Sequence, residues 1–255
     1  ALQEIFNKGH DFYSTVAIRT ENLNNQKDKY PDGVSADKKA PNFLKKLDAP
    51  KRNTAKGYSL GIAYGMSAYA LAMSIGVSKE EGKRLHQGYL DGFPGVANWI
   101  KESRAKFKRS GTIQNQVGRV RHLDKGKAVY DIFGESIMDW KMRKELERDY
   151  GKDQVLQWYR DYKNALNNCL NFQIQSLAAS VVNRAALAIN RKFKEVGIKG
   201  VVVAQIHDQL VMKVVKEQSQ EAAKIVQHIM ETTTQLPGVT LKAPPEIATN
   251  LADGH

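Results

Sequence analysis

Three groups of side chains have types and spacings that could do chemistry, and the first is a row along one face of a helix. Arg52, Lys56, Leu60 and Tyr64 follow one another at intervals of four residues. Because four residues advance about 400° on an α-helix, the row drifts by only some 40° per step. Two cations one turn apart, then an apolar side chain and a ring, suit a triphosphate with its sugar and base alongside. The spacing alone also fits a solvated basic helix end.

The second candidate is an acidic residue between two apolar runs. Val201–Ile206 is typical of a buried strand and Leu210–Val215 of a second strand, and His207, Asp208 and Gln209 fall between them. A carboxylate at a hairpin turn is exposed and held by the sheet, so Asp208 could bind Mg²⁺ through oxygen. Aspartate is also a favoured turn residue because it hydrogen-bonds its own backbone, so this position alone leaves both interpretations open.

The third candidate is a row of amides. Asn167, Asn171 and Gln175 are again spaced four apart within a helical pattern that is otherwise rich in Ala and Leu. Amide groups can hydrogen-bond base and sugar edges in a minor groove. They can equally satisfy hydrogen bonds between packed helices, and the spacing does not separate the two interpretations.

The composition limits the class of protein. The 255 residues are 42% hydrophobic and 26% charged, which is typical of a globular chain with a sizeable core. No apolar run approaches a membrane span, so we expect no membrane partner. The single cysteine, Cys169, excludes an internal disulfide and a cysteine-based zinc site, and a cytoplasmic setting fits best. The net charge of +12 favours a polyanionic partner such as nucleic acid, although a protein can be basic without one.

Capping residues and periodicity predict the elements that must position these candidates. A capping box at Ser78–Glu81 opens one helix, and Pro94 and Gly111 bound the next. The segment 24–50 is predicted to be a loop or insertion. The sequence thus predicts an α+β fold, a mostly helical front with a small helix-covered sheet at the back. The predicted helices cover residues 51–74, 78–89, 94–110, 136–150, 152–162, 166–196 and 217–233, and the predicted strands lie within 112–123, 201–206, 210–215 and 239–241.

Several segments, in order, resemble the family A (polymerase I-like) DNA polymerases. Arg52–Lys56 with Gly61–Gly65 is similar to motif B, the fingers helix that binds the incoming deoxynucleotide. Gln205–Val211 is similar to motif C, the palm hairpin with a metal-binding aspartate, and Asp11–Ala17 resembles the segment after motif A. The other segments that stand in the family's order are Tyr89–Trp99, Gly111–Thr112, Gly118–Arg119, Asn171–Gln175 and Ala178–Ala179.

The resemblance implies a fold, a reaction and its partners. The chain would be the fingers (1–165, with an insertion near 24–50) and a palm portion carrying motif C (166–255) of a right-hand polymerase. The reaction would be template-directed nucleotidyl transfer from a deoxynucleoside triphosphate to a primer 3′-hydroxyl. Its partners would be a DNA primer-template and deoxynucleoside triphosphates, and its cofactor two Mg²⁺ ions.

The resemblance also implies roles for individual residues. Asp208 would be a metal ligand, with Lys56 and His207 at the catalytic centre and His207 close to the primer end. The nucleotide-binding residues would be Arg52, Lys56, Leu60, Tyr64 and Tyr13. The DNA-binding residues would be Asn167, Asn171, Gln175, His207 and Arg119.

The chain departs from the family's pattern at several points. Motif A, with the first metal-binding aspartate, would lie just upstream of Ala1. We therefore expect the second carboxylate from outside this chain, on an upstream polymerase half that is separate or cleaved, and expect the isolated chain to be inactive. Gln209 replaces the usual glutamate, Leu60 the usual aromatic residue, and Tyr13 the usual histidine.

Two alternative functions remain open at this stage. One is a nucleic-acid-binding remnant or subunit without catalysis, which Gln209 and Leu60 favour. The other is a fragment of a single-subunit RNA polymerase, whose motifs B and C are related; the amide-rich Asn171–Gln175 run favours the DNA enzyme instead. A cytoplasmic location is expected, including that of a phage protein in its bacterial host.

Overall fold

The computed structural model describes residues 2–250, and it is built mainly of α-helices. The helices in chain order are α1 (Leu2–Asn7), α2 (Phe12–Glu21), α3 (Leu44–Leu47), α4 (Ala49–Ala63), α5 (Ala68–Ile75), α6 (Lys79–Gly92), α7 (Pro94–Ser110), α8 (Asp124–Phe133), α9 (Trp140–Tyr150), α10 (Lys152–Val196) and α11 (Ser219–Thr232). Short 3₁₀ helices cover Leu23–Asn25, Ser136–Met138 and Lys216–Gln218. The chain divides into two compact units after Gln173, within α10.

Two antiparallel hairpins provide the strands of the described residues. The first pairs β1 (Thr112–Gln114) with β2 (Val120–His122), and the second pairs β3 (Gly200–Ile206) with β4 (Gln209–Val214). Ile206 lies opposite Gln209, so the second hairpin turns through only two residues, His207 and Asp208. The fold class is therefore confirmed as mostly helical with small antiparallel sheets.

The first unit holds two hydrophobic clusters. In one, α2 packs against α4 and α6, and the close approach of α6 needs Gly88, since a Cβ there would lie 2.5 Å from the carbonyl oxygen of Thr20. The other gathers apolar side chains from α7, the first hairpin, α8 and α10. The largest fully buried side chains of these clusters are Tyr58, Phe93, Leu23, Leu44, Ile62, Leu71, Phe107, Tyr162, Ile113, Ile137 and Leu170.

The second unit has its own core, which supports the second hairpin. Ile189 and Phe193 of α10 pack with Leu210 of β4 and Val226 of α11. Strand β3 contributes less, because Val201 and Val203 are 51% and 56% exposed. The predicted burial of the 201–206 run is therefore wrong, since a two-stranded sheet leaves one of its faces uncovered.

Local chemistry fixes the helix ends that the sequence predicted. The Ser78 side chain accepts a hydrogen bond from the Glu81 backbone N–H at the start of α6. Pro94 opens α7, and Gly111 closes it in the left-handed conformation. The predicted hairpin at 112–123 and the predicted helix at 217–233 are confirmed within a few residues.

Five predicted elements differ from the structure. The helix predicted over 51–74 is two helices, because the chain breaks at Gly65, whose φ is +88°. The helices predicted at 152–162 and 166–196 form one 45-residue helix, α10, since no glycine or proline interrupts it. The segment at 136–150 starts as a 3₁₀ turn, and α9 begins only at Trp140. The strand predicted at 239–241 is absent from the described residues, where one isolated bridge joins Leu236 and Val239.

The sequence also missed α8 and underestimated the segment 24–50. That segment is largely irregular, as predicted, but it places Tyr30, Val34, Phe43 and Leu44 in the core of the first unit. It is thus part of the packed structure rather than an external insertion. Within residues 2–250, none of the helices combines the length and apolar character needed to cross a membrane.

Candidate functional site

Helix α4 presents the predicted row on the side away from its core contacts. Asp48 caps the helix by accepting from the Lys51 backbone N–H, and Tyr58 and Ile62 bury the inner face. On the outer face Lys56 is exposed and Leu60 is 41% exposed. The four residues thus follow one face, with Arg52 partly buried at one end and Tyr64 as the C-terminal cap.

Arg52 is held by Asp11, at the start of α2. The two carboxylate oxygens accept from Nε at 3.0 Å and from Nη2 at 2.9 Å, and one of them also accepts from the Ser14 backbone N–H. Burial raises the pKa of the Asp11 carboxyl, but the hydrogen bonds from Arg52 and Ser14 outweigh it and lower that pKa to about 2. The pair orients the guanidinium and leaves Nη1 without a protein partner among residues 2–250.

Tyr13 lies under both cations of the row. Its ring centroid is 5.0 Å from the Arg52 guanidinium carbon and 5.9 Å from Lys56 Nζ. No carboxylate pairs with Lys56 in the described part of the chain, so its charge is free to meet an anionic ligand. The structure therefore gathers Tyr13, Arg52 and Lys56 into one open cationic surface.

The amide row lies along α10, as predicted, and its members differ in environment. Asn167 Oδ1 would lie 3.0 Å from a Cβ at Gly65, so this amide borders the end of α4. Asn171 Oδ1 is buried without a hydrogen-bond partner, and Gln175 is exposed. The interhelical hydrogen bond in this region comes instead from Gln173, whose Nε2 donates to Ser103 Oγ at 2.8 Å. Hydrogen bonds between helices, among the residues that the structure describes, thus do not account for the spacing of Asn167, Asn171 and Gln175.

Two basic candidates lie at hairpin turns. Arg119 is exposed before β2, and its backbone N–H donates to Asn115 Oδ1 at 2.9 Å. His207 is exposed at the turn between β3 and β4, with a φ of +54° that is uncommon outside glycine. Asp208 follows it, also exposed and without an ion pair among the described residues.

A family profile, described as DNA polymerase family A, matches residues 1–253 of the chain. The chain belongs to this family.

Curated relatives within the family are DNA polymerases I. The chain is 26% identical to DNA polymerase I of Bacillus caldotenax over 84% of its own length and 20% of the relative. It is 24% identical to the thermostable DNA polymerase I of Thermus aquaticus over 72% of this chain and 19% of that one. The chain thus spans about a fifth of the length of the curated relatives it matches.

A solved structure gives the same result for the fold. The POL domain of Pol1 from M. smegmatis, in complex with DNA primer-template and dNTP, superimposes with a TM-score of 0.68 at 26% identity. The match covers 94% of this chain and 34% of that domain. The right-hand polymerase fold predicted for this family A chain is therefore confirmed.

Two residues that sequence reasoning did not select lie beside the predicted ones. Asp11 falls in the segment that resembles the family, and an aspartate three residues before a buried helical stretch is a capping signal. Nothing in the sequence connects Arg104 with Gly65, yet Arg104 Nη2 lies 3.5 Å from the position of a Cβ at Gly65. Only the fold brings α7 to the end of α4.

Proposed function

We propose that this chain is the nucleotide-binding and motif C portion of a DNA-directed DNA polymerase. The reaction is template-directed transfer of a nucleotidyl group from a deoxynucleoside triphosphate to a primer 3′-hydroxyl. The observation that carries the proposal is the outer face of α4, where Lys56 is unpaired and Arg52 is pre-oriented over Tyr13. Membership in family A and a neighbour solved with primer-template and dNTP support it.

In this proposal the α4 face binds the incoming nucleotide. Lys56 and the free edge of Arg52 contact the triphosphate, where each cation offsets charge that grows in the transition state. Tyr13 fixes the spacing of the two cations, and Leu60 lies beside the sugar. Tyr64, where the helix ends, stacks near the templating position.

The DNA contacts lie on α10 and at the hairpin turns. Asn167, Asn171 and Gln175 face the minor groove of the primer-template, and the exposure of the Gln175 side chain supports a contact with a ligand outside the chain. Arg119 contacts the strand backbone, and His207 the primer end. The net charge of +12 supplies long-range attraction to DNA.

Asp208 is proposed as one ligand of the catalytic Mg²⁺ ions. Mg²⁺ prefers oxygen ligands, and Asp208 is an exposed carboxylate without an ion pair among the described residues. It can therefore provide one of the protein ligands of the site. When bound, the ions polarise the phosphoryl oxygens and lower the pKa of the primer hydroxyl. No group of three or more His, Cys, Asp or Glu side chains is gathered for a metal within residues 2–250. The resemblance to family A implies a second carboxylate in motif A, and we propose that it is supplied by polypeptide outside these 255 residues.

A primer-extension assay tests the proposal. The purified chain alone should bind primer-template but extend no primer, because one carboxylate holds two divalent ions poorly. Adding a polypeptide that supplies the motif A aspartate and the thumb should restore extension. Robust synthesis by the chain alone would refute the shared site.

A second candidate function is nucleic-acid binding without catalysis. Gln209 favours it, because an amide stands where the family has a second acid beside the metals. If no upstream polypeptide restores extension while DNA binding is tight and salt-dependent, this function replaces the first. The RNA polymerase alternative is not carried further, since the matching profile and the named relatives are DNA polymerases.

A further inference from the structure

A small cavity lies between the end of α4, α6 and α7 in the first unit. It has a volume of about 100 Å³ and mostly apolar walls, to which Met66 and Ile100 contribute. Arg104 and His86 are its two basic side chains. Neither residue takes part in the nucleotide face, because Arg52 and Lys56 lie toward the opposite end of α4.

The guanidinium of Arg104 has few hydrogen-bond and ion-pair partners within the described part of the chain. Its Nε is buried and has no hydrogen-bond partner, and no carboxylate pairs with its guanidinium in the part of the chain that the structure describes. A buried donor without a partner is costly and requires an explanation, either a water or a ligand. Low-dielectric walls make an anionic ligand the more favourable one.

The residues that line the cavity include no acidic side chain to offset the charge of Arg104. Burial lowers the pKa of His86; a hydrogen bond with the Met66 carbonyl at 3.2 Å opposes this, and the Arg104 charge lowers it further. The pKa of His86 is therefore lowered, and its imidazole cannot supply the negative charge that Arg104 lacks. The cation lacks compensation from within its own cavity.

The position of Arg104 indicates which anion it would meet. Its Nη2 and the amide oxygen of Asn167 both lie within 4 Å of the point where a Gly65 side chain would be, so glycine at position 65 lets both polar groups lie close to the end of α4. Asn167 begins the amide row that we assign to DNA. A guanidinium fork beside such a row is suited to the phosphodiester of a nucleic-acid strand.

We infer that Arg104 is a DNA-binding residue, and that its guanidinium binds one backbone phosphate of the DNA strand that passes the end of α4. The inference rests on the proposed function, because its ligand is the primer-template. It adds a site that the resemblance to family A did not assign. It also gives a role to a half-buried arginine whose guanidinium has no carboxylate partner among residues 2–250.

The test measures primer-template affinity by fluorescence anisotropy over roughly 50 to 300 mM salt. Replacing Arg104→Met keeps the volume of the side chain and removes the cation. The slope of the logarithm of the DNA-binding constant against the logarithm of the salt concentration should become shallower by about 0.7 to 0.9. This is the change expected when one phosphate contact is lost. The thermal midpoint should not fall, because the variant also removes an unsatisfied donor.

Two further variants make the result specific. Arg148→Met removes the same charge from the exposed end of α9 and should change the slope much less. Arg104→Lys keeps the charge without the fork, so it should keep most of the slope but lose affinity severalfold.

Three outcomes separate the claims. An unchanged slope in Arg104→Met would overturn the inference and leave a water as the partner of Nε. If that variant loses stabilisation by inorganic phosphate but keeps the DNA slope, the site binds free anions, and the inference is again wrong. If the unmodified chain shows no salt-dependent DNA binding, the proposed function itself fails.

Discussion

At the scale of single residues, the two cations of α4 differ in their protein partners and in their exposure. Arg52 is paired with Asp11, stacked on Tyr13 and only partly exposed, whereas Lys56 is exposed and has no carboxylate partner among residues 2–250. A fixed guanidinium provides geometry, and a free ammonium provides a mobile point charge. We therefore expect the two residues to contribute to nucleotide use in different ways.

Lys56→Ala should lower catalytic efficiency for the nucleotide by about 10²-fold, because it removes a cation that acts on the transition state. Lys56→Arg should cost less. The measurement is steady-state extension by the reconstituted enzyme, with DNA affinity measured in parallel. Lys83→Ala, at an exposed position of α6, is the control. Weakened DNA binding with unchanged efficiency would move Lys56 to the DNA surface.

Leu60 should set the response to the nucleotide sugar. The resemblance to family A implies that a tyrosine at this position would let the polymerase accept dideoxynucleotides, and Leu60 is sufficiently exposed to meet a ligand. Leucine has no hydroxyl to replace the missing 3′-OH, so the enzyme should discriminate against dideoxynucleotides. Leu60→Tyr should relax that discrimination when both substrates are compared under matched conditions. An unchanged ratio would mean that Leu60 does not face the sugar.

The Asp11–Arg52 pair should appear in the pH dependence of stability. The folded pKa of Asp11, about 2, is below its ordinary value of 3.8, so the stabilisation is complete above about pH 4 and is lost as the pH falls toward 2. Asp11→Asn keeps an acceptor for the helix cap but loses the charge. It should cost about 1 to 2 kcal/mol at pH 7, a range reduced for solvent screening, and progressively less as the solution is acidified.

Urea unfolding at neutral and acid pH measures this difference. Asp28→Asn, at an exposed position of the 24–50 segment, controls for the change in net charge. A cost that stays constant with pH would show that the helix cap, and not the ion pair, is what the substitution disturbs.

At the scale of elements, the close contact of α2 with α6 depends on one glycine. Gly88→Ala should destabilise the chain by about 1 to 3 kcal/mol, because the new Cβ would meet the Thr20 carbonyl at 2.5 Å and the helices would have to separate. Gly95→Ala is the matched control, since nothing lies within 4 Å of its Cβ position. Chemical denaturation of the two variants checks this, and equal midpoints would contradict the packing account.

Capping and helix-ending residues made some elements predictable from the sequence, whereas elements that depend on tertiary contacts could not be predicted. Ser78, Pro94 and Gly111 fix helix ends through contacts within a few residues, so the sequence alone located α6 and α7. The break at Gly65 depends on the tertiary contacts around it, and the sequence interpretation continued the helix through it. Helix α8 contains a glycine, Gly126, which disfavours a helix locally, whereas the fold requires it because a Cβ there would lie 2.3 Å from that of Ala165.

The same distinction applies to the candidate site. The α4 row and the Asp208 turn were predictable because spacing and turn chemistry are local properties. The role of Asp11 required a contact between residues 41 apart, and that of Arg104 required two helices to meet. Neither contact produces a spacing pattern that could be recognised in the sequence.

At the scale of the whole molecule, the proposed polymerase reaction uses residues of both units of the family A fold. The first unit holds the cationic face of α4, and the second holds Asp208 on its hairpin. Family membership and the fold are established, and the reaction is the proposal that remains to be measured.

The most direct measurement is extension by the reconstituted enzyme carrying Asp208→Asn, with primer-template affinity measured on the same preparation. The substitution removes a metal ligand and little else, so extension should fall to background while DNA affinity stays near that of the unmodified chain. Gln209→Glu, the neighbouring change that restores the family's acid, should be tolerated. Near-normal turnover of Asp208→Asn would contradict the account, because the hairpin aspartate could then not be a ligand of the catalytic metal ions.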